Sequence, residues 1–431
     1  MIQKNDKGIV NAWKFYDWAN SVHSLVIASA IFPIYYGAVT TVADSGTRIT
    51  FLGFHPDAAF NFTLAICFFL VILLSPVLSS IADTIGNKKR FLQFFCYLGS
   101  LSCMGLFFFT EENIWLGLLL NLLAALGYWG SMVFYNSYLP EIVSEDKMDK
   151  VSAQGFMVGY VGSVILLVIC LVLIQIVGKG NEGFWTRLSF VFVGLWWMGF
   201  AQITFRRIPN NIHNKKIPKN IIQSSFKELR NTANELNKFS QLRIFLGSFF
   251  FYSLGMQTIF LIAALFGQSE IGLTTDKLIM TILLIQLEAI LGAWLFSFLS
   301  GKIGNRNTLL IGIFIWVIVC IIGYLIKKNS PTVEMQFYIM AALVGLVMGG
   351  IQALSRSTYA KLLPPTDDHT TYFSFYDVFE KLALCLGLFL FGVIIEMTDG
   401  MKVSTLAMGA SFCMSFVIMC FLKMKTKWKD E

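Results

Sequence analysis

Long apolar runs, broken by short polar stretches, follow one another from end to end of the chain. A helix needs about 20 apolar residues to cross the hydrocarbon core of a bilayer. That ruler marks twelve segments: 14–39, 57–81, 91–110, 113–137, 152–177 and 184–205, then 243–267, 277–299, 308–326, 334–359, 372–396 and 403–422. The runs lack the roughly ten-residue alternating segments of a membrane barrel. Only Thr110, Glu111, Glu112 and Asn113 separate the third and fourth segments, which predicts a tight helical hairpin. The longest hydrophilic stretch, 206–242, divides the chain into a six-helix half over 1–205 and a second over 243–431. Within it Ile222, Phe226, Leu229, Ala233 and Leu236 recur at four- and three-residue steps. That spacing predicts an amphipathic helix lying against the bundle or the lipid headgroups. The pattern describes an all-α polytopic membrane protein.

Composition narrows the class further. Of 431 residues 56% are hydrophobic and 14% charged, where soluble domains carry about 25% charged residues. Mean hydropathy is +0.67. There is too little polar side chain to cover soluble domains, and disorder, a collagen-like fibre and a secreted disulfide scaffold are excluded by the same proportions. The eight cysteines, at 67, 96, 103, 170, 320, 385, 413 and 420, fall inside apolar runs and read as small buried hydrophobes. His23, His55, His213 and His369 show no ligand spacing. Neither a metal nor a cofactor is implied.

The net charge of +7 would suit a nucleic-acid partner, but the positions of the charges argue against one. With the N-terminus inside, 24 basic residues fall on the inner side. Seven fall outside: Arg48, Lys179, Arg187, Lys277, Lys327, Lys328 and Lys402. Arg356 and Lys381 lie within helices. The bias is a topology signal. It puts both termini in the cytoplasm and excludes nucleic acid.

The chain also repeats itself. After the second segment comes Ser80-Ile81-Ala82-Asp83-Thr84-Ile85-Gly86-Asn87-Lys88, and after the eighth Phe298-Leu299-Ser300-Gly301-Lys302-Ile303-Gly304-Asn305-Arg306. Tyr138-Leu139-Pro140 after the fourth is echoed by Tyr359 and Leu363-Pro364 after the tenth, at nearly the same offset. A duplicated six-helix unit with a central substrate cavity fits this order. Gly86 allows a tight reversal. Asp83 is expected to accept from amides at a neighbouring helix N-terminus, closing the cytoplasmic side. Gly301 replaces it in the second copy, so that lock is expected to be one-sided.

These residues resemble the major facilitator superfamily. The 80–90 loop is similar to its G-x-x-x-D-[RK]-x-G-[RK]-[RK] signature, with Ser79 at the first position and Thr84 after the aspartate. Tyr16-Asp17-Trp18-Ala19-Asn20-Ser21, Gly349-Gly350-Ile351-Gln352-Ala353-Leu354-Ser355-Arg356-Ser357 and Tyr376-Asp377 resemble its vacuole-effluxer, autophagy-related branch. The resemblance implies the major facilitator fold and a secondary active transporter working by alternating access. It points to a small solute such as an amino acid, possible efflux, and a bacterial member in the plasma membrane. Protons are the candidate coupling ion and a monomer the expected state. A polytopic enzyme or a channel or receptor is the alternative; the chain shows no convergent catalytic pairs and no P-loop.

Ionisable groups in a membrane segment need a partner, a cavity or an interfacial place. Asp17 reads either as a helix cap or, with Asn20 and His23, as a row that lines a cavity or forms an interhelical seam. Arg356 and Asp377 are expected at similar depth on consecutive antiparallel helices, within reach of a salt bridge, beside Glu380 and Lys381. Together with Asp83 and Gly86 they form the candidate cytoplasmic gate, either static or breaking during the cycle. Glu288 has no basic residue within a turn and is the candidate proton carrier or amine ligand. Gly155, Gly159 and Gly162, and Gly345 and Gly349, have spacings suited to close helix packing.

Overall fold

The computed structural model describes residues 3–41, 56–210, 220–326, 331–398 and 401–424. Among them, twelve helices are long and apolar enough to cross a membrane. The first six are α1 (Lys7–Val39), α2 (Ala59–Ile85), α3 (Lys88–Phe108), α4 (Glu111–Ile142), α5 (Glu145–Val177) and α6 (Glu182–Arg207). The second six are α7 (Ser240–Ala263), α8 (Lys277–Ile303), α9 (Asn305–Leu325), α10 (Val333–Leu362), α11 (His369–Thr398) and α12 (Met401–Cys420). Arg48, Lys327 and Lys328, His55 and His213, residues 211–219 of the connector and the lysines beyond 424 lie outside the described residues.

The first helix begins a full two turns before its apolar run. Asp6 caps it, accepting a hydrogen bond from Ile9 N at 2.9 Å. Asp17 is therefore ten residues into α1 and 2% exposed, not a cap. Beyond Val22 the helix widens into a π-helical stretch, His23–Ile31, a distortion often found at functional sites.

Two groups of six helices pack side by side, meeting where α2 lies against α11 and α5 against α8 and α10. Lys4 Nζ donates to Pro140 O at 2.9 Å, and Arg306 Nε to Met419 O at 3.3 Å. Both described ends thus lie on the face that carries the α2–α3 and α8–α9 turns, called here the basic face. The two turns repeat in sequence and each carries a glycine at positive φ, but the first spends two residues, Gly86 and Asn87, and the second Gly304 alone. Gly86 has φ 75° and Gly304 φ 82°, a left-handed backbone that glycine adopts without a Cβ penalty. The outward surface is apolar: Phe69, Phe94, Phe389 and Phe421 are all at least 60% exposed, as lipid-facing positions require.

The connector does form a helix, Ile221–Lys238, against α2. Its packed face is rotated from the apolar row. Ser225, Thr232 and Leu236 are buried, while Phe226 is 55% exposed. Polar contacts set the rotation: Ser80 Oγ donates to Ser225 O at 2.6 Å and Thr84 Oγ1 to Glu228 Oε2 at 2.5 Å. Five cysteines are buried, but Cys413 and Cys420 are exposed on α12, so burial does not describe all eight.

Candidate functional site

A cavity of roughly 200 Å³ lies between the two six-helix groups. Polar side chains reach it from many helices: Ser24 from α1, Asn121 and Tyr128 from α4, Tyr160 from α5, Gln257 from α7, Gln286 from α8, Gln352 from α10, and Asp377 and Glu380 from α11. From the centre it extends away from the basic face, past Ala28, Ser29, Phe60 and Leu64.

Arg356 closes it toward the basic face. The side chain is 1% exposed, and its partner is not Asp377. Its Nη2 lies 3.3 Å from Asp17 Oδ2. Its Nε donates to Ser152 Oγ at 2.9 Å, Nη1 to Asn136 Oδ1 at 3.3 Å, and Nη2 to Ser152 O at 2.8 Å. Tyr135 OH adds a 2.7 Å hydrogen bond to Asp17 Oδ2. The guanidinium also lies over Phe156 at 4.2 Å and Trp13 at 4.8 Å. The pair thus joins α1 to α10, across the two groups. Gly155 makes it possible: a Cβ there would sit 2.4 Å from Asp17 Oδ2 and 3.1 Å from Arg356 Nη2. A packing glycine in the sequence is, in space, the slot for an ion pair.

Asp377 instead pairs with Lys381 on its own helix, Oδ1 to Nζ at 3.2 Å, while Glu380 Oε2 accepts from the same Nζ at 2.6 Å. Lys381 is 0% exposed and lies 3.6 Å over the Trp129 ring of α4. Two carboxylates thus flank one ammonium beside the cavity. The nearer cation, one turn away, takes Asp377; helix rotation turns Arg356 toward α1 and α5.

The row on α1 divides. His23 lines the cavity, stacked on Tyr128 at 5.0 Å. Asn20 is fully buried, with its amide donating to Met132 Sδ at 3.1 Å. Glu288 is half-buried at the seam where α8 meets Gly345 of α10, and it is not among the residues lining the cavity.

The polar contacts between the two groups collect at the basic face. Thr371, in the first turn of α11, donates its amide (2.7 Å) and its hydroxyl (2.9 Å) to Asp83 Oδ2. This is the contact expected of Asp83. Nearby, Lys88 Nζ meets Glu141 Oε2 at 2.7 Å, and Glu141 Oε1 lies 3.3 Å from His369 Nδ1 of α11. The pseudo-equivalent corner is latched too, contrary to the one-sided expectation, with the acid again on the first group, opposite Gly301. Asp149 of α5 receives Lys361 at 2.6 Å, Asn305 Nδ2 at 2.8 Å and Ser300 Oγ at 3.1 Å. The missing acid at Gly301 is supplied from across the interface. Beneath the first latch, Asp83, Glu228 and Asp368 bring carboxylate oxygens within 4.8 Å of one another. Burial pushes Glu228 up to about 8, against the Thr84 hydrogen bond and with help from Asp368 and Asp83.

Residues 5–431 match the family described as "Vacuole effluxer Atg22 like". The chain is 33% identical over 424 residues to an uncharacterized MFS-type transporter, YxiO, of Bacillus subtilis (strain 168), covering 96% of this chain and 95% of that one. It is 25% identical over 396 residues to Autophagy-related protein 22 of Saccharomyces cerevisiae (strain ATCC 204508 / S288c), covering 80% and 74%. Its fold is similar to that of FucP, a major facilitator superfamily transporter in the outward conformation, with TM-score 0.68, 12% identity and coverage of 98% and 99%.

Proposed function

Because the chain belongs to the vacuole effluxer Atg22-like family and is a transporter of the major facilitator type, we propose that it moves a small solute by alternating access. The observation that carries this reading is the central cavity, lined by both six-helix groups and shut toward the basic face by contacts that join them. Rocking of 1–205 against 243–431 about the cavity would break those latches and expose the cavity on the basic side, the 206–242 connector spanning both states. The basic face is the cytoplasmic one on the lysine and arginine bias, in the plasma membrane of a bacterium. The arrangement described then faces outward, as FucP does in its outward conformation. The solute class is amino acids or related metabolites, with efflux the direction that the family description suggests. Protons are the coupling ion and the working unit is a monomer that carries out no catalysis.

The test is a thermal-shift screen of the purified protein with amino acids, peptides and sugars, followed by counterflow of the stabilising solute in proteoliposomes. A carrier gives saturable uptake, accelerated by the same solute on the far side. Uptake that never saturates and shows no acceleration would mark a channel and overturn the reading.

A further inference from the structure

The two cations at the cavity, Arg356 on its lining and Lys381 beside it, are used up by the protein. A guanidinium has five N–H donors and an ammonium three. Arg356 directs Nε to Ser152 Oγ, Nη1 to Asp17 and Asn136, and Nη2 to Asp17 and Ser152 O. That accounts for all five. Lys381 gives Nζ to Asp377 and Glu380 and presents its remaining face to Trp129. An anion entering the cavity would have to displace one of these internal acceptors.

Unmet valences at the cavity belong to two acceptor groups, Asp377 and Gln286, and to the His23 imidazole, whose one N–H in the neutral form carries no charge. Asp377 and Gln286 line the same cavity, each residue 5% exposed, with Asp377 Oδ2 and Gln286 Oε1 buried. Neither atom receives a hydrogen bond among the described residues. A buried acceptor left so is costly, and more so when it belongs to a carboxylate that already shares its only cation with Glu380. Summed over Asp17, Arg356, Asp377, Glu380 and Lys381, three acids face two bases.

Resting on the transport reading, we propose that this cavity binds its solute through a cationic amine, held at the Asp377 carboxylate, and that it has no free cation to anchor a carboxylate. A solute with both groups would be recognised at its amine end.

Equilibrium binding to the purified full chain tests this with three matched probes: phenethylamine, phenylalanine and 3-phenylpropanoate. The expected order is saturable binding of the first two and none of the third. Asp377→Asn should weaken phenethylamine about ten- to a hundredfold, the range of a hydrogen bond to a charged group. The wild-type comparison needs no variant to fold. Equal binding of 3-phenylpropanoate, or no saturable binding of phenethylamine, overturns the proposal. So does sodium chloride stabilising the protein where phenethylamine does not, which would assign the acceptors to an inorganic cation. Amine binding without counterflow would remove the transport reading and leave this site; counterflow of a solute with no amine binding would do the reverse.

Discussion

Breaking the Asp17–Arg356 pair should open the basic face. Arg356 is 1% exposed and Asp17 2%, so in this arrangement neither charge has water to fall back on. When the two helix groups separate, each can be hydrated on its own side. The penalty for an orphaned partner therefore falls on the closed state alone. Losing one member of a buried pair costs about 3–5 kcal/mol, or roughly two to three and a half powers of ten in the closed-to-open ratio. Arg356→Met should produce it, and so should Asp17→Asn, while the double variant should lose less than the two single effects combined. Spin labels at the exposed positions Arg90 on α3 and Lys302 on α8, in a cysteine-free background, read the separation by electron–electron resonance. Each single variant should gain a long-distance population, and the double variant should regain part of the short one. Arg356→Met combined with Asp377→Asn is the control, because Asp377 pairs with Lys381 at 3.2 Å; those effects should add. Additivity for Asp17 with coupling for Asp377 would refute the pairing.

The Asp149–Lys361 latch predicts that Asp149→Lys and Lys361→Asp each abolish transport and that the double reversal restores part of it, measured by counterflow. Glu228, near 4.5 when undocked and about 8 when docked, makes docking of the Ile221–Lys238 helix bind a proton. Its contribution is complete below about pH 4.5 and lost as pH rises through about 8. Hydrogen exchange of 221–238, corrected for intrinsic rate, should quicken across that window, and Glu228→Gln should remove the dependence. A membrane-impermeant thiol probe should not label a single cysteine at position 215 in intact cells; labelling would reverse the orientation.

What is legible in the chain depends on length or on a rule for a side-chain type. Twelve spans follow from apolar length alone, and the kind of partner Asp83 takes, a helix N-terminal amide, follows from the helix dipole, although Thr371 itself is 288 positions away. Asp17 falls near the start of the 14–39 segment because Lys7 and Asn11 make the opening of α1 too polar for the ruler, although both are helical. Arg356 was given the acid on the next helix because sequence fixes depth but not rotation about the axis. The signal for its true partner was present in Gly155, one of a glycine series that also reads as ordinary packing. The Asp149–Lys361 contact spans 212 positions, and its only trace was the lack of an acid at Gly301 beside two unspent donors, Ser300 and Asn305.

On the proposed proton coupling, the point of entry turns on which acid meets water from both sides. The central cavity is the space that changes sides when the two groups rock, so a coupling group should line it. Glu288 does not; Asp377 and Glu380 do. With two carboxylates around Lys381, that cluster is neutral when it holds one proton and carries one negative charge when it has lost it. A cation bound at the cavity would balance that charge in place of the proton. Proton and amine would then exchange at one place, which is coupling without a separate proton site. Glu380→Gln leaves Lys381 balanced by Asp377 alone, so the cluster is neutral without an added proton. It should retain counterflow, which needs only rocking, and lose accumulation driven by a pH gradient. Glu288→Gln should retain both. If Glu288→Gln loses gradient-driven accumulation while Glu380→Gln keeps it, the coupling proton travels through the α8–α10 seam and not through the cavity.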